Sequence, residues 1–124
     1  MSTARHVLDA SIPDQQLNQQ ILAGNALEAF EKFYADDVVM QENSEEPRRG
    51  KAVNRKFEQD FFASVEQVHG FKVLASAVNG DISFSEWEAD ITFKGAQRVK
   101  LTQVAVRRWK NGKVVHERFY YNKG

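Results

Sequence analysis

Residues 79–93 read NGDISFSEWEADITF, and this stretch decides the fold class. Its odd positions from Trp87 to Phe93 are apolar, whereas the even positions between them carry acidic side chains as far as Asp90. A period of two residues is typical of a strand that buries one face and leaves the other in water. The preceding dipeptide Asn79-Gly80 is a strong signal for a hairpin turn. The stretch therefore predicts a long strand over 82–93 that is entered through a tight turn.

Strand signals fill the rest of the second half of the chain. Lys94-Gly95 and Asn111-Gly112 mark two further turns, and no proline follows Pro47, as a run of paired strands requires. The pattern predicts a meander of four strands over 71–78, 82–93, 99–109 and 114–121.

Helical spacing dominates the first half instead. One helix is predicted from Ser11 to Gly24, and a second from Asn25 to the Asp36-Asp37 pair. A short strand over 38–42 and a loop that ends at Gly50 come next. A third helix is predicted from Lys51 to the break near Gly70, with an apolar ridge that faces the sheet and consists of Val53, Phe57, Phe61 and Val65.

Helices followed by a meander predict an α+β fold in the order α-α-β-α-β-β-β-β, with the helices on one face of an antiparallel sheet. Strands of this length twist and curl, so the helices close the sheet into a cone with a ligand-sized interior cavity. With 124 residues the chain suits one domain, which we assign to residues 11–124 after a tail over residues 1–10.

Composition excludes several classes of function. Lysine plus arginine (17) balances aspartate plus glutamate (17), so the charge does not predict a nucleic-acid or membrane partner. The chain has no cysteine, which excludes disulfides, thiolate metal sites and cysteine nucleophiles and suits the cytoplasm. No segment reads as a signal peptide or a membrane span. The three histidines show no metal-ligand spacing, and His116 is expected to point away from the cavity.

Three motifs carry a resemblance to a known family: FYADDV at 33–38, EPRRG at 46–50 and GKVV at 112–115. In order and spacing the chain resembles the nuclear transport factor 2-like superfamily, in its SnoaL-like and ketosteroid isomerase-like branch. The resemblance implies a cystatin-like cone, homodimers through the open sheet face, and a pocket between helices and sheet. That pocket serves isomerases, cyclases, dehydratases and plain binding proteins, so fold alone does not choose the function.

The resemblance also assigns a candidate catalytic residue. Glu42 lies where ketosteroid isomerases carry the carboxylate that moves protons beside the substrate carbonyl. A carboxylate at the mouth of an apolar pocket is desolvated, which raises its pKa and makes it a better base near neutral pH. The alternative is a solvated acid at the end of a strand.

The oxyanion-hole donors of the isomerases have no counterparts here. Asn18 takes the place of their tyrosine and Val104 that of their protonated acid, which argues against a true ketosteroid isomerase. Gln103 could donate a weaker hydrogen bond only if it pointed inward against the parity of Val104. Glu58 takes the place of a second tyrosine and is either buried with a partner or solvated.

The remaining pocket positions are mostly apolar. We expect the ligand to contact Tyr34, Met40, Phe57, Phe61, Trp87, Phe119 and Tyr121, together with Asn18, Val104 and Glu117. If Glu42, Glu58 and Glu117 share the pocket, their repulsion favours proton shuttling or a cationic ligand. Arg107 or Arg108 is expected on the outer face, beside the acidic side chains of the second strand of the meander.

Two hypotheses follow from the sequence. The first is a homodimeric isomerase or lyase that needs no cofactor, uses Glu42 as general base and acts on a small apolar or aromatic molecule. The second is a non-catalytic ligand-binding or protein-interaction module, in which Glu42 is a polar residue at the rim and the open sheet face is the working surface.

Overall fold

The computed structural model describes residues 9–123, so most of the predicted tail, including His6, lies outside the described residues. Three helices pack on one sheet: α1 (Ser11–Leu22), α2 (Ala26–Phe33) and α3 (Lys51–Ala63). The strands are β1 (Tyr34–Glu42), β2 (Arg48–Arg49), β3 (Val65–Asn79), β4 (Ile82–Phe93), β5 (Arg98–Lys110) and β6 (Lys113–Tyr121). The predicted α+β class is confirmed.

The six strands of the described chain form one sheet in the order β2-β1-β6-β5-β4-β3. The meander β3–β6 is antiparallel throughout, as predicted, but β1 runs parallel to β6. The expectation of a purely antiparallel sheet is therefore wrong for this pair. The chain leaves β1 through α3 and returns to its edge only after three hairpins, so the last strand arrives in the same direction as β1.

The predicted turns set the register of the meander. Asn111 and Gly112 have φ values of 53° and 76°, and they join Lys110 to its partner Lys113 in a two-residue hairpin. Positive φ at both central residues matches the right-handed twist of the flanking strands, and Asn-Gly adopts it at little cost. An irregularity between Arg108 and Trp109 then shifts this register by one residue and places Arg107 opposite Glu117.

Two element boundaries differ from the prediction. The second helix ends at Phe33, because Tyr34 pairs with Val114 and begins β1. The third helix ends at Ala63 instead of near Gly70, because Val65 and the residues after it pair with β4. In both places strand pairing overrides local helical spacing.

The inward face of α3 also differs from the predicted ridge. Val53 is 53% exposed and Phe57 is 39% exposed, whereas Asn54 is completely buried. The Asn54 amide donates to the carbonyl oxygens of Gly50 at 2.8 Å and Arg48 at 3.0 Å. A polar side chain can therefore face inward here, since its hydrogen bonds offset the cost of burial.

The apolar core lies at one end of the cone. It consists of Ala10, Leu17, Ala29, Phe30, Phe33, Tyr34, Val38, Met40, Trp109 and Val114. At the other end, Phe61, Gln103, Phe119 and Tyr121 line the same concave side but keep intermediate exposure. No helix within residues 9–123 is long and apolar enough to cross a membrane.

Candidate functional site

A buried ionic network separates the core from the open end of the cone. The Arg107 guanidinium donates to Glu117 Oε2 at 2.7 Å, to Asp14 Oδ1 at 2.8 Å and to Asn18 Oδ1 at 2.6 Å. Arg107 is 2% exposed and Glu117 is 1% exposed. One cation on β5 therefore joins α1 to β6 in surroundings where each charge needs a partner.

Hydroxyl and indole donors complete this network. Tyr34 donates its hydroxyl proton to Glu117 Oε1, and Ser83 donates to Asp14 Oδ1 at 2.6 Å. The Trp109 indole nitrogen in turn donates to the Ser83 oxygen at 3.0 Å. Within the described chain every fully buried side-chain nitrogen or oxygen has a partner. The network therefore satisfies the rule that buried polar groups are hydrogen-bonded.

The charges of the network act on each other. Burial and the neighbouring Glu117 raise the pKa of the Tyr34 hydroxyl well above its usual value. Burial alone would lower the pKa of Arg107, but Glu117, Tyr34 and Asp14 outweigh it and raise that pKa. Arg107 is therefore a permanent cation, and Tyr34 keeps its proton throughout the neutral range.

Glu42 belongs to a second polar group at the end of β1. Arg48 Nη2 lies 2.9 Å from Glu42 Oε2, and the Tyr121 hydroxyl donates to Glu42 Oε1 at 3.0 Å. Arg48 is held in turn by Asn54 Oδ1 at 3.1 Å, and its guanidinium lies 3.6 Å above the Phe57 ring. Of the predicted site residues, the structure thus brings Glu42, Tyr121 and Phe57 together around Arg48.

Glu58 is a third carboxyl on the same side of the sheet. It lies one turn after Asn54 on α3, is enclosed by protein and keeps partial contact with solvent. Burial, followed by repulsion from Glu117 and Glu42, raises its pKa to about 8. The Glu58 carboxyl is therefore largely protonated at neutral pH.

We use the term concave cleft for the group of half-buried side chains on the helix-facing side of the sheet that consists of Glu42, Glu58, Phe61, Gln103, Phe119 and Tyr121. Gln103 lies opposite Tyr121 on one side and opposite Trp87 on the other. Trp87 is buried and stacks on Phe71 at 5.0 Å, while Phe61 meets Phe93 edge-on at 5.9 Å. Aromatic side chains thus form the apolar part of the cleft wall.

Several predicted ligand contacts lie elsewhere. Val104 pairs with the exposed Glu86 and Tyr120 on the outer face, so its predicted place in the pocket is wrong and Gln103 points inward instead. The assignment failed by one residue, and such a shift moves a side chain to the opposite face of the sheet. Met40 and Tyr34 are buried in the core cluster.

Asn18 lies close to the predicted pocket, but its amide is engaged within the protein. Its nitrogen donates to the Ser85 hydroxyl at 3.0 Å, and its oxygen accepts from Arg107. Asn18 therefore accepts a hydrogen bond from Arg107, as the carboxylates of Asp14 and Glu117 do.

A family profile of the SnoaL-like domain matches residues 15–121. The chain belongs to the SnoaL-like family. The matched range covers all of the helices and strands except the first residues of α1. The predicted resemblance is confirmed.

Solved structures agree with this assignment. A candidate SnoaL-like polyketide cyclase from Mesorhizobium loti is 31% identical, with a TM-score of 0.80 over 90% of this chain and 97% of that one. A second candidate polyketide cyclase, from Jannaschia sp., has a TM-score of 0.80 at 12% identity, over 93% of this chain and 88% of that one.

A more distant structure shares the fold. It is a protein of ketosteroid isomerase-like fold from Catenulispora acidiphila in complex with trimethylamine, at 17% identity and a TM-score of 0.71. The similarity covers 84% of this chain and 81% of that one. No protein with curated function matches this SnoaL-like chain.

Sequence reasoning missed the central residue of the buried network in this SnoaL-like protein. Arg107 was expected on the outer face, or else Arg108, but Arg107 points inward between Ala105 and Trp109 and Arg108 is exposed. Part of the signal was available, because Arg107 shares its parity with two buried apolar residues. Its position opposite Glu117 was not, because the Asn111-Gly112 hairpin alone would set Arg107 opposite His116, and an irregularity between Arg108 and Trp109 shifts the register by one residue.

Proposed function

We propose that this SnoaL-like protein binds a small apolar or aromatic molecule in the concave cleft and moves a proton on it. Glu42 is the general base of an isomerase or lyase reaction that needs no cofactor. The observation that carries this proposal is the fixed Glu42 carboxylate, which Arg48 and Tyr121 hold from two sides at the edge of an aromatic wall.

The hydrogen bonds of Glu42 suit the role of a base. Arg48 and Tyr121 each bind a different carboxylate oxygen, so they fix the plane of the carboxylate. An ionised carboxylate accepts about four hydrogen bonds, so further lone pairs remain for a substrate proton. A positioned base of this kind accelerates proton transfer by a factor of roughly 10²–10⁴.

Replacing Glu42 with glutamine is expected to lower proton transfer by a factor of roughly 10²–10⁴ while leaving ligand binding intact. The measurement is deuterium exchange of the α-protons of small cyclic ketones in D2O, followed by NMR. Glu45→Gln is the matched control, because Glu45 pairs with Lys123 on the surface close to Glu42. Exchange at the wild-type rate in Glu42→Gln would contradict a base at this position.

A non-catalytic binding or interaction module is the second candidate, and the outer face of the sheet favours it. Phe84 is 38% exposed and Tyr120 is 44% exposed on this face, and they flank Val104 and Val106 on β5. Apolar side chains grouped on one open sheet face favour a contact surface. We propose a homodimer in which two copies of this face meet.

Replacing Val106 with lysine is expected to convert such a dimer into a monomer, because a charge at the centre of an apolar interface is left unpaired. Sedimentation velocity measures the change in mass. Leu22→Lys serves as control, since Leu22 is an exposed apolar residue on α1. A dimer that persists in Val106→Lys at the wild-type dissociation constant would rule out this interface.

A further inference from the structure

Both guanidinium groups near Glu58 are bound to other residues. Arg107 binds Glu117, Asp14 and Asn18, and Arg48 binds Glu42 and Asn54 while it stacks on Phe57. Neither forms an ion pair with Glu58. Among residues 9–123, the structure gives the Glu58 carboxyl no hydrogen bond and no salt bridge.

Glu58 is nevertheless an interior group. It lies one turn after the buried Asn54 on the inward side of α3, where its carboxyl is largely enclosed by protein and keeps partial exposure. Its influential charged neighbours are Glu117 and Glu42, while Arg48 acts more weakly. Each nearby anion raises the cost of ionising this carboxyl. A positive charge beside the carboxyl lowers that cost, so the position favours binding of a cation.

Aromatic rings border the same space. Phe61 lies three residues beyond Glu58 on α3 and therefore on the same side of the helix, and Phe119 and Tyr121 face the cleft from β6. Faces of aromatic rings attract cations, and they do so more strongly when the pair is desolvated. The combination of a carboxyl without a partner and an aromatic wall is suited to a substituted ammonium group.

We propose that the ligand of the concave cleft carries an organic cation, an alkylated ammonium group, which pairs with Glu58 between the aromatic side chains. This inference names the ligand class of the proposed site and rests on that site, but it does not depend on proton transfer by Glu42. Binding of the cation requires Glu58 to be ionised, so each bound ligand displaces one proton from the protein.

The proton linkage gives the binding a definite pH dependence. The groups that face Glu58 are Glu42 and Tyr34 on β1, Arg48 on β2 and Glu117 on β6, with Arg107 behind Glu117. Because the pKa of Glu58 is about 8, affinity for a permanent cation rises about tenfold per pH unit below that value and levels off above it. A neutral ligand that accepts a hydrogen bond from protonated Glu58 would show the opposite trend.

The experiment compares choline with dimethylbutanol, its uncharged carbon isostere, by NMR shift titration between pH 6 and pH 9. Wild-type protein is expected to bind choline at least tenfold more tightly than the isostere at pH 8, and Glu58→Gln is expected to lose this preference. Asp60→Asn removes an exposed acid from the same helix and should keep it. Calorimetry of the wild type in two buffers of different ionisation enthalpy should show up to one proton released at pH 7.

Equal affinity for the two probes, absence of saturable choline binding, affinity that rises as the pH falls, or a preference for choline that survives in Glu58→Gln would each overturn the proposal. None of these outcomes bears on Glu42, because the deuterium exchange of cyclic ketones tests that residue with neutral compounds.

Discussion

Replacing Arg107 with methionine is expected to lower the free energy of unfolding by about 3–5 kcal/mol. The substitution keeps an apolar stem but removes the only cation that Asp14 and Glu117 contact in the described structure. Both carboxylates are buried, so they lose their partner without gaining water. Since small domains are stable by only about 5–15 kcal/mol, this single change removes a large part of the total.

Urea denaturation followed by tryptophan fluorescence measures this loss, because Trp109 and Trp87 are both buried. Arg108→Met is the matched control, since Arg108 is the adjacent residue and is exposed on the outer face. A loss in Arg107→Met as small as that of the control would contradict the central role of the buried network.

A triple variant distinguishes the loss of the ion pairs from the cost of leaving their carboxylates buried without a cation. Combining Arg107→Met with Asp14→Asn and Glu117→Gln removes the charges that the single variant leaves unpaired. We expect it to recover part of the lost stability, because the greater part of the cost of breaking a buried ion pair is the desolvated charge left behind.

Replacing Glu58 with glutamine is expected to have the opposite effect and to stabilise the protein above neutral pH. The pKa of this carboxyl is about 8 in the folded protein and near its ordinary value of 4.5 in the unfolded chain. Between these values the folded state binds more protons, so the stability that protonated Glu58 provides is complete below pH 4.5 and is lost as the pH rises to about 8. Glutamine does not ionise and avoids this loss.

The expected difference between Glu58→Gln and wild type approaches about 5 kcal/mol at pH 9 and is close to zero at pH 4, since each pKa unit between 4.5 and about 8 corresponds to about 1.4 kcal/mol. Urea denaturation at several pH values measures it, with Asp60→Asn as the control for removal of a charge from α3. If the stability of wild type and Glu58→Gln changes with pH in the same way, Glu58 has the same pKa in the folded and the unfolded protein, and the prediction is wrong.

Arg107 and Glu58 affect the stability of the fold in opposite directions. Arg107 completes a buried network and stabilises the fold, whereas Glu58 lowers stability at the pH where its carboxyl ionises. Costly groups of this kind are concentrated at functional sites, where binding or chemistry needs them. These properties support the proposal that the concave cleft around Glu58 and Glu42 is the functional part of the molecule.

Local sequence patterns predicted the fold class, the order of the three helices and the five longer strands, and the hairpins of the meander, whereas the two-residue β2 lies in a predicted loop. Alternation between Glu86 and Phe93 and the two Asn-Gly dipeptides depend on local backbone geometry, which neighbouring residues set among themselves. The inward orientation of Glu117 followed from the same alternation along β6. Local periodicity also placed Trp87 on the buried face.

Packing between distant elements sets which of these side chains meet. Helical spacing along α3 favoured Val53 and Phe57 as inward residues, but hydrogen bonds from Asn54 to the preceding loop turned Asn54 inward and left Val53 exposed. The carboxylate partners of Arg107 lie 93 and 10 residues away in sequence, and the raised pKa of Glu58 depends first on its burial and then on carboxylates of two strands. Charge pairing and desolvation are properties of distances between elements, and no local pattern in the sequence contains those distances.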